Sequence, residues 1–136
     1  VMLQSLNVLC IQEQVYIEEK RVRRTRSLVE VLNVDPETGD LGINELFNWE
    51  PLEDCFTKVG DSHILQEIMN VRGWDTSQLR NEMENRRKIL AYMYEKGIRN
   101  YVQVSIVVQA YQTHPKMVME AIDNDTLESM IQSIAA

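Results

Sequence analysis

The pattern of hydrophobic and polar positions changes once along the chain, close to Gly60. Before this point apolar and polar residues alternate, and Ile43, Phe47 and Trp49 show the two-residue period of a half-buried strand. After it, apolar residues recur three and four positions apart, which is the period of an amphipathic helix. The sequence therefore predicts an α+β fold, with an antiparallel β-meander over residues 1–60 and a helical bundle over residues 61–136.

Turn signals divide the first half into strands. The first strand is predicted over residues 6–17, either unbroken or interrupted near Gln12, and the others over residues 21–34, 41–49 and 54–59. The sequence DPETG at residues 35–39 predicts a tight turn, because proline fixes φ at the first corner and glycine accepts the left-handed conformation. Pro51 is predicted to end the third strand.

The first predicted strand is apolar on both faces. Its two faces carry Leu6, Val8 and Cys10 on one side and Leu9 and Ile11 on the other. Strands of this kind lie in the middle of a sheet that is covered on both sides. We therefore predict that this strand is central in its sheet, and we expect that more chain preceded it in a longer parent protein.

Capping residues mark the predicted helices of the second half. Ser62 caps the first helix, which ends at Gly73. Asp75 or Thr76 begins a longer helix that ends at Lys96 and Gly97, and Asn100 begins a third. Pro115 is predicted as the first residue of the next helix, and short helical segments cover residues 117–122 and 126–134.

Two of these helices carry apolar stripes that predict their buried faces. The stripe of the second helix consists of Leu79, Met83, Leu90 and Met93, and that of the third consists of Tyr101, Val104, Val107, Val108 and Tyr111. The methionines recur at helical spacing together with leucine and isoleucine. Core packing is therefore favoured over a partner-binding groove.

The charge of the chain is unevenly distributed. The net charge of the 136 residues is −7, which disfavours general nucleic-acid binding, yet one short segment is basic: Lys20, Arg21, Arg23, Arg24 and Arg26. Two interpretations stay open, a charged strand edge that resists aggregation or a contact for an anion or an acidic neighbour. Nucleic-acid binding through residues 20–26 is the weaker third. No apolar run approaches the roughly 20 residues that span a bilayer.

The chain contains no recognisable catalytic or metal-binding motif. None of its five glycines forms GxxxxGK[ST] or GxGxxG, the backbone loops that bind phosphates. His63 and His114 lack acidic or thiol neighbours at ligand spacing. Cys10 and Cys55 are predicted as reduced core residues of a cytoplasmic protein, with a disulfide or metal site as the alternative. We therefore assign no catalytic residue, metal ligand or cofactor to the chain.

The order of several short motifs carries more information than any one of them. SLNVLCIQ at residues 5–12 is followed by KRVRR at 20–24, SLVEV at 27–31, DPETG at 35–39, F-x-W-x-P-x-x-D-x-F at 47–56 and GIRNY at 97–101. This order resembles the C-terminal part of archaeal type II/IV secretion ATPases, the motors of pilus and archaellum assembly. Asn48 and Glu50 depart from the family, in which arginine and aspartate are common at these positions.

The resemblance implies that the β-meander forms the late strands of a RecA-like ATPase domain and that the helices form its C-terminal subdomain. It implies a hexameric parent at the cytoplasmic face of the membrane that couples hydrolysis of ATP, with Mg²⁺, to secretion or filament assembly. The implied partners are the rest of the ATPase chain, neighbouring subunits and a membrane platform protein, with no nucleic acid. The chain itself is expected to be structural and inactive alone, because the family's catalytic motifs have no counterpart in it.

The resemblance also suggests a role for the basic segment. Arg21, Arg23, Arg24 and Arg26 become candidates for contacts across a subunit interface or with a neighbour's phosphates, because guanidinium groups bind anions through paired hydrogen bonds. The alternative is a stand-alone, non-enzymatic protein-interaction domain. Such a domain is expected to be monodisperse and to unfold cooperatively by itself, whereas a fragment is expected to expose an unpaired strand edge near residues 6–11.

Overall fold

The computed structural model describes residues 6–135, and these residues have the predicted α+β architecture. Residues 1–5 lie outside the described residues, and they include Ser5, the first residue of the motif SLNVLCIQ. The chain divides into two compact units, Val1–Trp74 and Asp75–Ala136. We call them the sheet unit and the helical unit. The first helix therefore belongs to the sheet unit, and the separation into domains at residues 1–60 and 61–136 stays a prediction.

The sheet unit is built on an antiparallel sheet whose strands follow one another in chain order. Its strands are β1 (Val8–Ile17), β2 (Lys20–Val34), β3 (Leu41–Glu50) and β4 (Cys55–Lys58). β1 is a single strand rather than two. The irregularity predicted near Gln12 is a β-bulge, because Ile11 pairs with Ser27 and Gln12 with Thr25, which leaves Arg26 as the extra residue on β2.

Two tight turns set the register of the meander. Glu18 and Glu19 connect β1 to β2 with φ values of 46° and 66°, the left-handed pair that a two-residue hairpin turn requires. Between β2 and β3, the Asp35 carboxylate accepts from the backbone N–H groups of Glu37 and Thr38 at 2.8 and 3.1 Å. Gly39 follows at φ 78°, so the predicted role of DPETG as a turn is confirmed.

The predicted central position of the first strand is wrong for the described residues. β1 lies at the edge of the sheet, because it forms a hairpin with β2 and β2 uses its other edge to pair with β3. Val8 is 43 % exposed, and Cys10 is exposed as well. Cys10 is therefore not a core residue, whereas Cys55 is half-buried; both are free thiols. Within the described residues, the apolar pattern of β1 therefore belongs to a partly exposed edge strand rather than to a covered central one.

The bounds of the helices are α1 (His63–Arg72), α2 (Thr76–Glu95), α3 (Tyr101–Thr113), α4 (Pro115–Asp123) and α5 (Leu127–Ala135). α1 and α2 begin and end at their predicted capping residues, α3 begins at its predicted cap, and Pro115 is the first residue of α4 as predicted. The Ser62 hydroxyl accepts from the N–H of Leu65, and Asp75 forms a reciprocal capping box with Gln78. Asn100 caps α3 through the N–H of Val102. Within the described residues, no helix has the length and apolar character that crossing a bilayer requires.

The helical unit has a continuous apolar core, but only part of each predicted stripe contributes to it. Residues from α2 to α5 form this core: Ile89, Met93, Ile98, Val107, Ala110, Tyr111, Val118, Ala121, Leu127 and Ile131. The predicted burial of Met83, Leu90, Tyr101 and Val108 is wrong, since all four are exposed. Ile89 and Met93 form the buried stripe of α2, and Leu90 lies one position, or about 100°, away from it.

Candidate functional site

The candidate arginines all lie on the first half of β2. Arg21, Arg23 and Arg24 pair with Tyr16, Gln14 and Glu13 of β1, while Arg26 is the bulged residue. The β2–β3 ladder begins only at Ser27, which pairs with Asn48. The sequence therefore places four guanidinium groups on a single stretch of strand that is hydrogen-bonded to β1 along one edge.

Arg24 is held by the loop between β3 and β4. Its Nε and Nη2 atoms donate to the two carboxylate oxygens of Asp54, each at 2.7 Å, and the indole Nε1 of Trp49 donates to Asp54 Oδ1 at 2.9 Å. We call these three residues the Asp54 clamp. The paired hydrogen bonds to the Arg24 guanidinium, together with the one from Trp49, lower the pKa of Asp54 to about 2.

The clamp gives a physical meaning to the aromatic motif of β3. In F-x-W-x-P-x-x-D-x-F, the tryptophan is Trp49 and the aspartate is Asp54, which accepts hydrogen bonds from both Trp49 and Arg24. Pro51 starts the intervening turn, and Asp54 ends it in the left-handed region at φ 46°. The spacing of the motif is thus the spacing that brings the indole and the carboxylate together across a tight turn.

The other candidate arginines differ in their contacts. Arg26 Nη1 donates to both oxygens of Glu13 at 2.9 and 3.0 Å, and Arg21 Nη2 donates to the side-chain oxygen of Gln14 at 2.7 Å. Arg23 is exposed and has no side-chain hydrogen bond or ion pair within residues 6–135. Of the four, Arg23 is therefore the guanidinium most available to another molecule, and the interface role stays a prediction for all of them.

A buried carboxylate in the same unit was missed at the level of sequence. Glu30 on β2 is 1 % exposed and lies at the N-terminus of α1. It accepts hydrogen bonds from the hydroxyl of Ser62, from Asn44 Nδ2 at 3.0 Å, and from the N–H groups of His63 and Ile64 at 2.9 and 3.2 Å. We call this arrangement the Glu30 site. Its signal in the sequence is a glutamate between two valines of an otherwise apolar segment.

Hydrogen bonds rather than a counter-ion keep Glu30 charged. Burial by itself raises the pKa of a carboxyl group, but the donors from Ser62, Asn44 and the two backbone amides outweigh that effect and lower the pKa of Glu30 to about 2. The positive end of the α1 dipole acts in the same direction. Asn44 also donates to the carbonyl of Asp61 at 2.8 Å, so one amide ties β3 both to Glu30 and to the residue before the helix cap.

The helical unit offers a shallow apolar cavity rather than a polar site. The cavity measures about 200 Å³ and is lined mostly by apolar residues of α2 and α3, among them Ile89, Leu90, Met93 and Val108. At its rim, Tyr111 donates to Glu82 at 2.8 Å, and Arg86 pairs with the same carboxylate at 2.8 Å. Two of the three polar residues that line the cavity, Arg86 and Tyr111, are thus already engaged by Glu82, and Gln112 is the third.

Two features of residues 6–135 bear on the binding of ATP and Mg²⁺, namely the grouping of metal-ligating side chains and the availability of the candidate arginines. Across residues 6–135, no three histidine, cysteine or acidic side chains are grouped closely enough to hold a metal ion. Arg24 and Arg26, two of the four candidates for phosphate contact, are neutralised by carboxylates of the same unit. We therefore derive no step of ATP hydrolysis from this chain. His63 donates its backbone N–H in the Glu30 site, and His114 occupies the N-cap position of α4 without a side-chain capping hydrogen bond.

Comparison with known proteins identifies the family. A family model described as PilB3-like, C-terminal, matches residues 53–133, which include Asp54, β4 and all five helices up to the last turn of α5. This match covers more than half of the chain. The chain therefore belongs to the PilB3-like C-terminal family.

Three uncharacterized proteins of the archaeon Methanocaldococcus jannaschii are similar to the chain. MJ1287 is 32 % identical over 90 residues, which are 66 % of this chain and 33 % of the relative. MJ0781 is 27 % identical over 122 residues, 90 % of this chain and 17 % of the relative. MJ0900 is 33 % identical over 111 residues, 79 % of this chain and 20 % of the relative. The chain thus spans a third or less of the length of these curated relatives.

Proposed function

We propose that the chain is the C-terminal segment of an archaeal secretion or type IV pilus assembly ATPase, in which it has a structural and coupling role. The observation that carries the proposal is the match of residues 53–133 to the PilB3-like C-terminal family, whose name refers to PilB, a type IV pilus ATPase. The order of short motifs upstream of the matched residues, from residue 5 to residue 39, supports the same assignment.

The two polar sites of the sheet unit suggest how such a segment transmits force. The Asp54 clamp joins the basic half of β2 to the β3–β4 loop, and the Glu30 site joins the other half of β2 to the start of α1. Hydrogen bonds therefore connect the first half of β2 to the β3–β4 loop and its second half to the start of α1. A displacement applied to its arginines is carried along a stiff strand to α1, because neither contact can slide without losing charged hydrogen bonds.

The proposal places the chain in a larger assembly. The parent would be a ring, with six subunits by the family resemblance, that lies peripherally at the cytoplasmic face of the membrane and contacts a membrane platform protein. ATP and Mg²⁺ would bind to the rest of the ATPase chain, and the segment would contact that chain and the neighbouring subunits. No nucleic-acid partner is proposed, since the net charge is −7.

Arg23 provides the sharpest test of this role. In the full-length ATPase, Arg23→Glu should lower the ATPase rate or the fraction of assembled rings by about tenfold, because a charge-assisted contact becomes a repulsive one. Lys88→Glu makes the same charge change on an exposed position of α2 and serves as the matched control. Arg24→Glu is unsuitable, because it also breaks the Asp54 clamp.

The same experiment tests the second candidate function, a stand-alone interaction domain without enzymatic parent. The exposed Leu90 and Val108 beside the cavity of the helical unit favour this candidate, since apolar surface of this kind suits a protein partner. Equal ATPase rates and equal ring assembly in Arg23→Glu, Lys88→Glu and the unaltered protein would contradict the interface role of the basic strand. Absence of any ATPase activity in the full-length protein would contradict the motor assignment itself.

A further inference from the structure

The side chains of the β1–β2 hairpin divide into two faces. Directly opposed residues of an antiparallel pair place their side chains on the same face of the sheet. Tyr16 opposes Arg21 and Gln14 opposes Arg23, so these four side chains share one face, which we call the Arg23 face. The hydrogen bond from Arg21 Nη2 to the side-chain oxygen of Gln14, at 2.7 Å, agrees with this placement.

The Arg23 face is the more exposed of the two. All four of its residues are exposed, and Tyr16 has 73 % of its surface accessible. Glu13, Val22 and Arg24, which alternate with them and therefore belong to the opposite face, are half-buried. On that opposite face Arg24 contacts Asp54 of the β3–β4 loop.

Carboxylates neutralise only some of the arginines of β2. Arg24 and Arg26 are each paired with a carboxylate of the sheet unit. Arg21 instead donates to the neutral amide of Gln14, and neither Arg21 nor Arg23 forms an ion pair within the part of the chain that the structure describes. A guanidinium group has five N–H donors, so most donors of these two groups are available to an anion.

The spacing of the two available guanidinium groups indicates the form of that anion. Arg21 and Arg23 are two positions apart on a strand, so their side chains leave the sheet about 7 Å from one another. Alternate side chains of an extended polypeptide have the same spacing. Two carboxylates at alternate positions can therefore face both guanidinium groups at once, and each carboxylate can accept two parallel hydrogen bonds.

The surroundings of the Arg23 face favour a short acidic segment over a polyanion. Glu18 and Glu19 form the hairpin turn at one end of the face, and the uncharged pair of Gln12 and Thr25 lies at the other end. A nucleic acid carries a charge on every phosphate, so it would meet the carboxylates of the turn as well as a chain of net charge −7. A polypeptide segment with two carboxylates avoids this repulsion.

We propose that the Arg23 face binds an acidic polypeptide segment in extended conformation, with carboxylates two positions apart. The inference rests on the proposed interface role of the basic strand and narrows it to one face and one ligand chemistry. It depends only on side chains of the described residues, so the chemistry that is recognised is the same whichever polypeptide supplies the segment.

Peptide binding to the chain is the first test. One probe is a short peptide of alternating threonine and glutamate, and the other has the same composition with its glutamates in adjacent pairs, so that no two glutamates are two positions apart. In NMR titrations the alternating peptide should shift the Nε–H resonances of Arg21 and Arg23. It should also bind about fivefold more tightly than the paired peptide, because only its carboxylates reach both guanidinium groups. Equal affinities for the two peptides would overturn the proposal.

Two matched variants separate the site from the overall charge. Arg23→Gln removes one of the two available guanidinium groups and should raise the Kd of the alternating peptide by about tenfold. Arg26→Gln removes the same charge from the same strand, where Glu13 already neutralises it, and should leave the Kd nearly unchanged. Circular dichroism checks that both variants keep the fold. Equal effects of the two substitutions would show that the peptide responds to net charge alone, which contradicts the proposal.

Gln14→Glu tests the site from within the chain. Glutamate has nearly the size of glutamine and would place a carboxylate where Arg21 now contacts an amide oxygen, directly opposite Arg23. This carboxylate should occupy the site and raise the Kd of the alternating peptide by more than about tenfold. Undiminished binding by Gln14→Glu would mean that the peptide binds elsewhere.

Inorganic phosphate, ATP and a single-stranded oligothymidine are the competing ligands. If any of them shifts the Arg21 and Arg23 resonances at lower concentration than the alternating peptide does, the face recognises phosphate and the proposal is overturned. None of these titrations measures ATPase activity. Failure of the peptide to bind therefore removes the acidic-segment proposal alone, whereas absence of ATPase activity in the full-length protein removes the motor assignment and leaves the peptide result in place.

Discussion

The sheet unit and the helical unit are stabilised by different kinds of interior. Twelve apolar residues are buried within residues 6–135, and the sheet unit contributes two of them, Val29 and Leu46. The remaining ten form the core of the helical unit, where Val107, Val118 and Leu127 are fully buried. The best-buried side chain of the sheet unit is instead the carboxylate of Glu30. One unit is therefore held by apolar volume and the other by directional polar contacts.

This difference determines how each unit responds to substitution. An apolar core tolerates changes that conserve volume, because van der Waals contacts can be remade after small shifts. A buried carboxylate with four donors cannot be replaced in the same way, since each donor depends on the position of the same two oxygen atoms. The sheet unit should accordingly be the more sensitive to single polar substitutions and the helical unit to loss of volume.

The largest effect is expected at Glu30. Glu30→Ala leaves the Ser62 hydroxyl and two backbone N–H groups of α1 without their acceptor and removes one of the two acceptors of Asn44, so the free energy of unfolding of the sheet unit should fall by about 4 kcal/mol. Urea unfolding followed by tryptophan fluorescence measures this unit selectively, because both tryptophans, Trp49 and Trp74, belong to it.

Glu37→Ala is the matched control for Glu30→Ala. Glu37 is an exposed glutamate in the β2–β3 turn, and its loss should change the free energy of unfolding by less than about 0.5 kcal/mol. Similar unfolding midpoints for the two variants would show that the sheet unit does not depend on its polar interior, and the contrast between the units would then fail.

A volume deletion in the helical unit is expected to have the next largest effect. Leu127→Ala removes a fully buried side chain from the centre of the core, and the free energy of unfolding of this unit should fall by about 3 kcal/mol. Circular dichroism at 222 nm follows the helices, while tryptophan fluorescence follows the sheet unit. If the two interiors act separately, the fluorescence transition stays in place as the helical signal shifts to lower urea concentration; a joint shift would contradict that separation.

The Asp54 clamp predicts a pH dependence of intermediate size. The pKa of Asp54 lies near 2 in the folded chain and near its usual 3.8 when the clamp is absent. A carboxyl group whose pKa is lowered by folding adds stability above its unfolded pKa and loses it as the pH falls through the folded pKa. Stability from the clamp should therefore be complete above about pH 5 and decline between about pH 4 and pH 2. Glu30, whose folded pKa is also near 2, adds to the same decline.

Trp49 allows the titration of Asp54 to be observed directly. Its indole N–H donates to Asp54, so its resonance in a proton–nitrogen NMR spectrum should shift with a midpoint near pH 2. Within residues 6–135 the indole N–H of Trp74 donates to no carboxylate, so Trp74 is the internal control, and Asp54→Asn should abolish the shift of Trp49. A midpoint near pH 3.8 would mean that Arg24 does not hold the carboxylate in solution.

Local signals in the sequence predicted the secondary structure well. Ser62, Asp75 and Asn100 cap the helices for which they were predicted, because a cap is satisfied by backbone groups two or three residues away. The same holds for the DPETG turn and for Pro115 at the start of α4. Helix caps and tight turns could be predicted because each depends on only a few residues that are neighbours in the sequence.

Properties that depend on distant partners were not predictable in this way. The edge position of β1 depends on which strands pair with β2, and the exposure of Leu90 depends on where the other helices pack. The clustering of arginines on one strand was predicted, but the capture of Arg24 by Asp54, thirty positions away, was not. The buried position of Glu30 could have been predicted, because a carboxylate within an apolar strand requires hydrogen-bond donors when it is buried.

The smallest predicted effect concerns the β1–β2 turn. It tests whether backbone strain in a turn also limits the stability of the sheet unit. Glu18 and Glu19 both have positive φ, at a cost that asparagine and glycine avoid in a two-residue hairpin turn. The double substitution Glu18→Asn and Glu19→Gly should raise the free energy of unfolding of the sheet unit by about 1 kcal/mol, measured by tryptophan fluorescence in urea. Glu53→Asn, at a turn position without positive φ, is the control. Destabilisation by the double substitution would indicate that the turn has another geometry in solution. The pairing register between β1 and β2, which this turn sets, would then have to be revised as well.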